Sequence, residues 1–215
     1  EKIAVITSSA GAAVRDIIRI LGGEPLLNPE LDKYIVLLRK VYPYANINIV
    51  TNGILIEKMS ESLCETIRNN KIHVHVSLYP PVKNKKDKIE TFLKENSITF
   101  QVSECINTFT STYQPEPFAD KSLAKEKCEI FCNNLRDGKI SCCPHVIYTH
   151  YYNECFGTAY PVEDGMIDIY NIKSARELHQ RLGKPVSLCS YCDRSSCFDW
   201  TITKRLRSEW LSKEE

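Results

Sequence analysis

Apolar positions along the first hundred residues alternate between two periods. Short apolar runs at 2–6, 17–21 and 47–50 have the length of buried strands. Residues 72–78 alternate apolar and polar, and 98–102 follow as a further strand. Between these runs the spacing becomes helical. Residues 30–41 place Leu31, Tyr34, Ile35, Leu37, Leu38 and Val41 on one side, behind a start at Asn28-Pro29. Ser60 opens a helix over 60–69 with Leu63, Cys64 and Ile67 inward, and 85–96 gathers Ile89, Phe92 and Leu93 on one face. Repeated strand–helix units predict an α/β fold with parallel strands and right-handed crossovers. One interval breaks the rule. Residues 7–16 are too short and too rich in small residues for a parallel crossover, which needs a dozen residues or more.

The second half has another texture. Residues 107–120 are rich in Thr, Ser and Pro and read as a loop. Residues 135–140, with Asp137-Gly138 at the centre, read as a hairpin. A helix is predicted over 174–182, closed by Gly183-Lys184-Pro185. The charged tail, 204–215, reads as helical. Nine of the ten cysteines follow residue 104, and eight of them cluster at 128, 132, 142, 143, 155, 189, 192 and 197. The chain therefore divides into a strand–helix part, 1–104, and a cysteine-rich extension, 105–215.

Composition narrows the function classes. With 28 basic and 27 acidic residues the net charge is +1, which argues against a nucleic-acid protein built on phosphate contacts. No apolar run approaches the length of a membrane span, and no signal peptide is visible, so a cytoplasmic location is expected. Ten cysteines in 215 residues raise two readings. A disulfide framework belongs to smaller, less regular chains, and the spacing instead favours metal ligation by thiolates.

Two constellations carry candidate chemistry. The run 17–21 ends in Gly22-Gly23-Glu24-Pro25. In parallel α/β folds ligands sit at the carboxyl ends of the strands, and a glycine pair with an acid there suits a ligand bearing a cationic amino group. An ordinary strand-to-helix turn is the plainer alternative. The second constellation is Cys189-Ser-Tyr-Cys192 together with the cysteines that flank the hairpin. Two separated cysteine pairs can converge on one tetrathiolate site, for a [4Fe–4S] cluster or a structural zinc. Taken singly, each cysteine reads as a buried apolar residue, as Cys64 does on its helix. His73 and His75 are two apart and face the same side of one strand, where they line a barrel interior or serve as ordinary half-buried histidines. His145 and His150 are weaker candidates. Lys83, Lys85, Lys86 and Lys88 form a solvated charge run.

The segment Gly22-Gly23-Glu24-Pro25 resembles the GGEP motif of the radical S-adenosylmethionine (radical SAM) enzymes. The resemblance continues through Asn28-Pro29-Glu30-Leu31, Thr51-Asn52-Gly53 and the strand end at Ser77. It implies a partial TIM-like (βα)6 barrel with a small cysteine-rich C-terminal extension. It also implies SAM bound by Gly22, Gly23, Glu24, Asn52 and Ser77, with Ser77 near the ribose. Glu24→Ala would then weaken SAM binding and leave the fold intact. Gly138 followed by Cys143, and the Cys189/Cys192 pair, resemble the two halves of a SPASM or twitch extension. On that resemblance Cys132, Cys143, Cys189 and Cys192 hold one auxiliary [4Fe–4S] cluster, with zinc as the alternative metal and Cys128, Cys142 and Cys197 as substitute ligands. Trp200 resembles a residue that packs beside such a cluster.

The implied reaction is reductive cleavage of SAM to a 5′-deoxyadenosyl radical that abstracts hydrogen from a substrate, with flavodoxin or ferredoxin as reductant. The family's CxxxCxxC loop, which holds the catalytic [4Fe–4S] cluster, is absent, since no cysteine precedes Cys64. Either a stretch between the first two strands is missing, which the surviving motifs favour, or the chain is a catalytically inactive binding or scaffold protein. A cysteine-rich electron carrier is a third reading, and it has no use for the glycine–acid and Thr-Asn-Gly signals.

Overall fold

The computed structural model describes residues 4–8, 17–128, 133–194 and 197–211, with backbone alone for 4–8 and for Ala175. The chain forms two compact units, Glu1–Asn107 and Thr108–Glu215.

In the first unit, β1 (Ala4–Ser8) is followed by β2 (Ile17–Leu21), α1 (Leu31–Val41), β3 (Asn46–Thr51), α2 (Glu61–Asn69), β4 (His73–Val76), α3 (Lys86–Glu95) and β5 (Phe100–Val102). Strands β2 to β5 pair in sequence order and in parallel. Strand β1 joins β2 antiparallel, with Ala4 opposite Leu21 and Ser8 opposite Ile17. That orientation corrects the expected parallel start and resolves the short interval, because an antiparallel partner needs no crossover. Residues 9–16 themselves lie outside the described residues. Among the described residues this unit holds a four-stranded parallel sheet with one antiparallel strand beside β2, and six barrel repeats are not seen.

Alternation along the strands divides the sheet into two unlike faces. Ile18, Ile20, Ile47, Ile49, Val74 and Val76 are buried and pack with Leu31, Ile35, Cys64, Ile67, Ile89 and Leu93 from the three helices. Caps fix where the helices begin. Ser60 Oγ accepts from Leu63 N–H at 3.2 Å. Asn28 acts one turn earlier than expected: its Oδ1 accepts from Glu30 N–H at 2.9 Å, and α1 starts at Leu31. At the far end of α1, the Arg39 guanidinium donates to the carbonyls of Asn70, Tyr42, Pro43, Ala45 and Lys71. One side chain so ties the α1–β3 and α2–β4 connections together.

The second unit comprises β6 (Thr108–Thr110), α4 (Lys121–Glu126), β7 (Asn133–Arg136), β8 (Lys139–Ser141), α5 (Pro144–Phe156), β9 (Ile167–Asp168), α6 (Ala175–Leu182) and β10 (Cys197–Asp199). Strands β7, β8 and β9 form an antiparallel sheet, and β6 with β10 forms a ribbon. The hairpin turn is the expected one. Asp137 and Gly138 both have positive φ, 50° and 73°, as a tight hairpin turn requires. Helix α6 begins at the Ser174 cap, as its sequence predicts.

Helix α5 was not legible. Its buried positions, Val146, Ile147, Thr149 and Tyr152, alternate with histidines and tyrosines, so no clean apolar stripe marks it. Pro144 at its first turn and Gly157 at its end, with φ 61°, are the signals that could have found it. The tail departs from expectation: within 204–211 only Arg207–Glu209 forms a single helical turn. Strand β6 lies inside the stretch read as loop. Tyr113, Val146, Tyr152, Tyr160, Val162, Val186 and Leu188 form the core of this unit. Among the described residues no helix is long and apolar enough to cross a membrane.

Candidate functional site

Because β2, β3 and β4 are parallel, the residues that end them share one edge of the sheet. Glu24 follows β2, Asn52 follows β3 and Ser77 follows β4. Glu24 is 7% exposed and anchors this edge. Its Oε1 accepts from the Thr51 hydroxyl at 2.7 Å and from Leu26 N–H at 3.1 Å. Its Oε2 accepts from Asn52 N–H at 2.9 Å. The carboxylate therefore joins the ends of β2 and β3. A carboxylate has about four lone-pair sites, and these three bonds leave capacity on Oε2. An ammonium donor suits that position. Glu24 also joins two strand ends, so Glu24→Ala is expected to cost stability as well.

The neighbouring backbone is shaped for close approach. Gly53 has φ +82°, and a Cβ there would lie 3.0 Å from Val76 Cγ1 and 3.1 Å from Ile89 Cδ1, so the Thr51-Asn52-Gly53 turn needs its glycine. Asn52 Oδ1 accepts from Ile54 N–H at 2.9 Å and closes this turn. Ser77 N–H donates to Thr51 O at 2.9 Å, which holds Ser77 beside the same turn. Gly22 and Gly23 are exposed and have no positive φ. Open space stands where a Gly22 side chain would project, the nearest atom being Glu24 N at 4.0 Å. Their contribution is room rather than an unusual turn.

In the second unit a cavity of about 40 Å³ is lined by five cysteines: Cys128, Cys142, Cys143, Cys189 and Cys192. The structure so brings together three of the four expected ligands, Cys143, Cys189 and Cys192, with the substitutes Cys128 and Cys142. Cys132 lies outside the described residues. Cys197 is exposed on β10, and neither it nor Trp200 lines the cavity. Cys64 is buried in the core of the first unit, as expected. Among the described residues no three His, Cys, Asp or Glu side chains are grouped closely enough to grip a metal ion.

Local chain geometry presents these thiols. Cys143 is the residue from which α5 starts. Cys189 and Cys192 sit on one tight turn, in which Cys192 N–H donates to Cys189 O at 3.2 Å. Burial pushes the Cys143 thiol up to about 12 and, with the neighbouring Cys128 and Cys189, pushes Cys192 up to about 11. Cys189 is raised too, again chiefly by burial. Burial outweighs the nearby cations, Lys125 beside Cys189 and Arg194 beside Cys192, so these thiols hold their protons, and a bound metal cation would reverse the preference.

Two residues not singled out by sequence, Lys125 and Tyr113, border the same cavity, as does His145. Lys125 Nζ lies 3.6 Å from Cys142 Sγ. The Tyr113 hydroxyl meets Thr149 Oγ1 at 2.6 Å and His145 Nδ1 at 3.5 Å. Burial holds the Tyr113 phenol up to about 12 and lowers the affinity of His145 for a proton.

Comparison with known proteins gives one partial similarity. Over 82 residues the chain is 32% identical to GTP 3′,8-cyclase of Staphylococcus saprophyticus, a radical SAM family member. The similarity points to the radical SAM superfamily. It covers 36% of this chain and 24% of that enzyme, so the chain spans about a quarter of its relative's length. No family model matches the chain.

Proposed function

We propose that this chain is a SAM-binding protein of the radical SAM type, with an auxiliary [4Fe–4S] cluster in its second unit. The observation that carries the proposal is the convergence of five cysteines on one cavity. The chemistry of the donor set suits an iron–sulfur centre: several soft, half-buried thiols in apolar surroundings, on three separate chain segments that would have to close on the group. Cys143, Cys189 and Cys192 would be three ligands, and Cys128, Cys142 or Cys132 the fourth. Such a cluster supplies one-electron chemistry or binds substrate, and it staples the α4–α5 region to the tail. Zinc on the same thiols is the alternative.

In the first unit Glu24 would hold the amino group of SAM by a charge-assisted hydrogen bond, with Gly22 and Gly23 giving the ligand access. Asn52 and Ser77 stand on the same edge to receive its polar atoms. The resemblance further implies cleavage of SAM and hydrogen abstraction from a substrate, with a flavodoxin or ferredoxin as reductant. The catalytic cluster that this reaction needs does not fit the residues present. Cys64 is the sole cysteine in residues 1–104 and is 1% exposed within the core. The antiparallel β1 also ends opposite Ile17, at the edge of the sheet away from Glu24. That orientation favours a second reading, a SAM-binding or scaffold protein that performs no radical chemistry by itself.

Calorimetry of SAM binding to the anaerobically prepared chain, followed by a search for 5′-deoxyadenosine after reduction, tests both readings. Saturable SAM binding supports the proposal. Formation of 5′-deoxyadenosine selects the enzyme, and its absence selects the binding protein. A chain that does not bind SAM overturns the proposal.

A further inference from the structure

The sheet of the first unit has a second face, opposite the one on which the described helices α1, α2 and α3 pack. Strand register places Arg19 of β2 beside Asn48 of β3, and Asn48 beside His73 of β4. His75 lies one step along the same face, paired with Gln101 of β5. These five side chains are half-buried or exposed, whereas Ile18, Ile20, Ile49 and Val74 between them are fully buried on the helix side. The face carries no acid in β2 to β5: its other members are Ile17, Leu21, Asn46 and Val50. Among the described residues, none of the five has a hydrogen-bond or ion-pair partner.

We propose that this row binds a phosphate-bearing substrate. A guanidinium, two imidazoles and two carboxamides lie on this face of four neighbouring strands, and among the described residues no carboxylate bonds them. Adjacent strands are about 4.8 Å apart, so Arg19 and His73 flank Asn48 across about 10 Å, a span that the long arginine side chain bridges. The donors outnumber the roughly four lone pairs of one carboxylate and match the several oxygens of a phosphate or diphosphate. Arg19 supplies the fixed positive charge and a fork suited to phosphate oxygens. His73 is held below the ordinary histidine pKa, by burial and then by His75, and an anion in the row offsets both effects. Hydrophobic neighbours Ile17, Leu21 and Val50 give the rest of the ligand an apolar floor. The inference rests on the reading above in one respect: it takes the phosphate as the substrate's, bound on the sheet face that adjoins the SAM edge.

Inorganic pyrophosphate is the probe, titrated by calorimetry into the full chain, with malonate as the carboxylate control and SAM in a separate titration. Arg19→Gln and His73→Asn are the variants, checked for folding by circular dichroism. The expected result is saturable pyrophosphate binding, weakened about tenfold or more in each variant, with SAM affinity unchanged. The His73 and His75 ring protons should shift on titration in the wild-type chain. Pyrophosphate affinity that survives both variants overturns the inference, as does no binding at about 10 mM, a level that corresponds to under about 3 kcal/mol. Malonate bound as tightly as pyrophosphate overturns the assignment to phosphate. A chain that binds pyrophosphate through Arg19 but never binds SAM sinks the proposed function and leaves the phosphate site standing.

Discussion

Replacing Glu24 by Ala should cost stability as well as SAM binding, and the structure gives the size of the loss. The substitution removes three acceptor contacts, to the Thr51 hydroxyl, Leu26 N–H and Asn52 N–H. Thr51 is 2% exposed, so water does not replace its lost partner, whereas Leu26 and Asn52 are half-buried and water reaches them in part. One fully stranded donor and two partly rehydrated ones, all formerly bonded to a charged group, amount to about 2–4 kcal/mol. Urea unfolding followed by far-ultraviolet circular dichroism reads the loss. With a slope near ~2 kcal/mol/M, the midpoint should fall by about 1–2 M. Amide exchange in β2 and β3 separates this from events in the second unit, because the opening should quicken at Asn52 and Leu26 first. Thr51→Val should cost less than Glu24→Ala, and the pair of changes should be less than additive, since both break one bond. A loss below about 0.5 kcal/mol, equal to that of an ordinary surface change, would refute the claim that Glu24 joins the two strand ends.

Other outcomes follow from the same geometry. Arg39→Ala should destabilise the first unit by about 1–3 kcal/mol, and Arg39→Lys should not restore it, because a point charge does not fork across five carbonyls; thermal unfolding measures both. Gly53→Ala should cost about 2–3 kcal/mol, from the left-handed backbone and the 3.0 Å approach to Val76, and should weaken SAM binding through the displaced Asn52. His73 takes up a proton less readily in the folded chain, with His75 and Arg19 as the charged groups on its face. Below about pH 6.5 the unfolded chain binds a proton that the folded chain refuses, so stability falls as the pH drops toward the folded pKa, and His73→Asn should flatten that slope in a pH series of urea midpoints.

What was legible in the sequence follows where a single interaction dominates. The helices over 61–69 and 86–95 have wide apolar stripes and the Ser60 cap, and they appear within a residue or two of expectation. Glu24, Asn52 and Ser77 fall on one edge because parallel pairing of β2, β3 and β4 leaves no other arrangement. The direction of β1 was not legible, since an apolar run of five carries no sign of which way it pairs. Thr51 was read only as part of a turn signal. Its bond to Glu24 spans 27 residues, and no local pattern reports such a contact. In the second unit, aromatic and histidine side chains share the buried side of α5, so its periodicity blurs. The cysteine spacing pointed to residues that line one cavity, Cys143, Cys189 and Cys192, but did not rank Cys128 and Cys142, which line it too, against Cys132.

The account stands most directly on what the five cavity cysteines hold. Anaerobic reconstitution with iron and sulfide, followed by metal and sulfide counting and electron paramagnetic resonance, measures it. The account predicts a brown chain with about four irons and four sulfides, a paramagnetic signal on reduction, and loss of both in Cys143→Ala and Cys192→Ala while the first unit stays folded. A colourless chain that takes up about one zinc, or an iron content indifferent to those two substitutions, would contradict it.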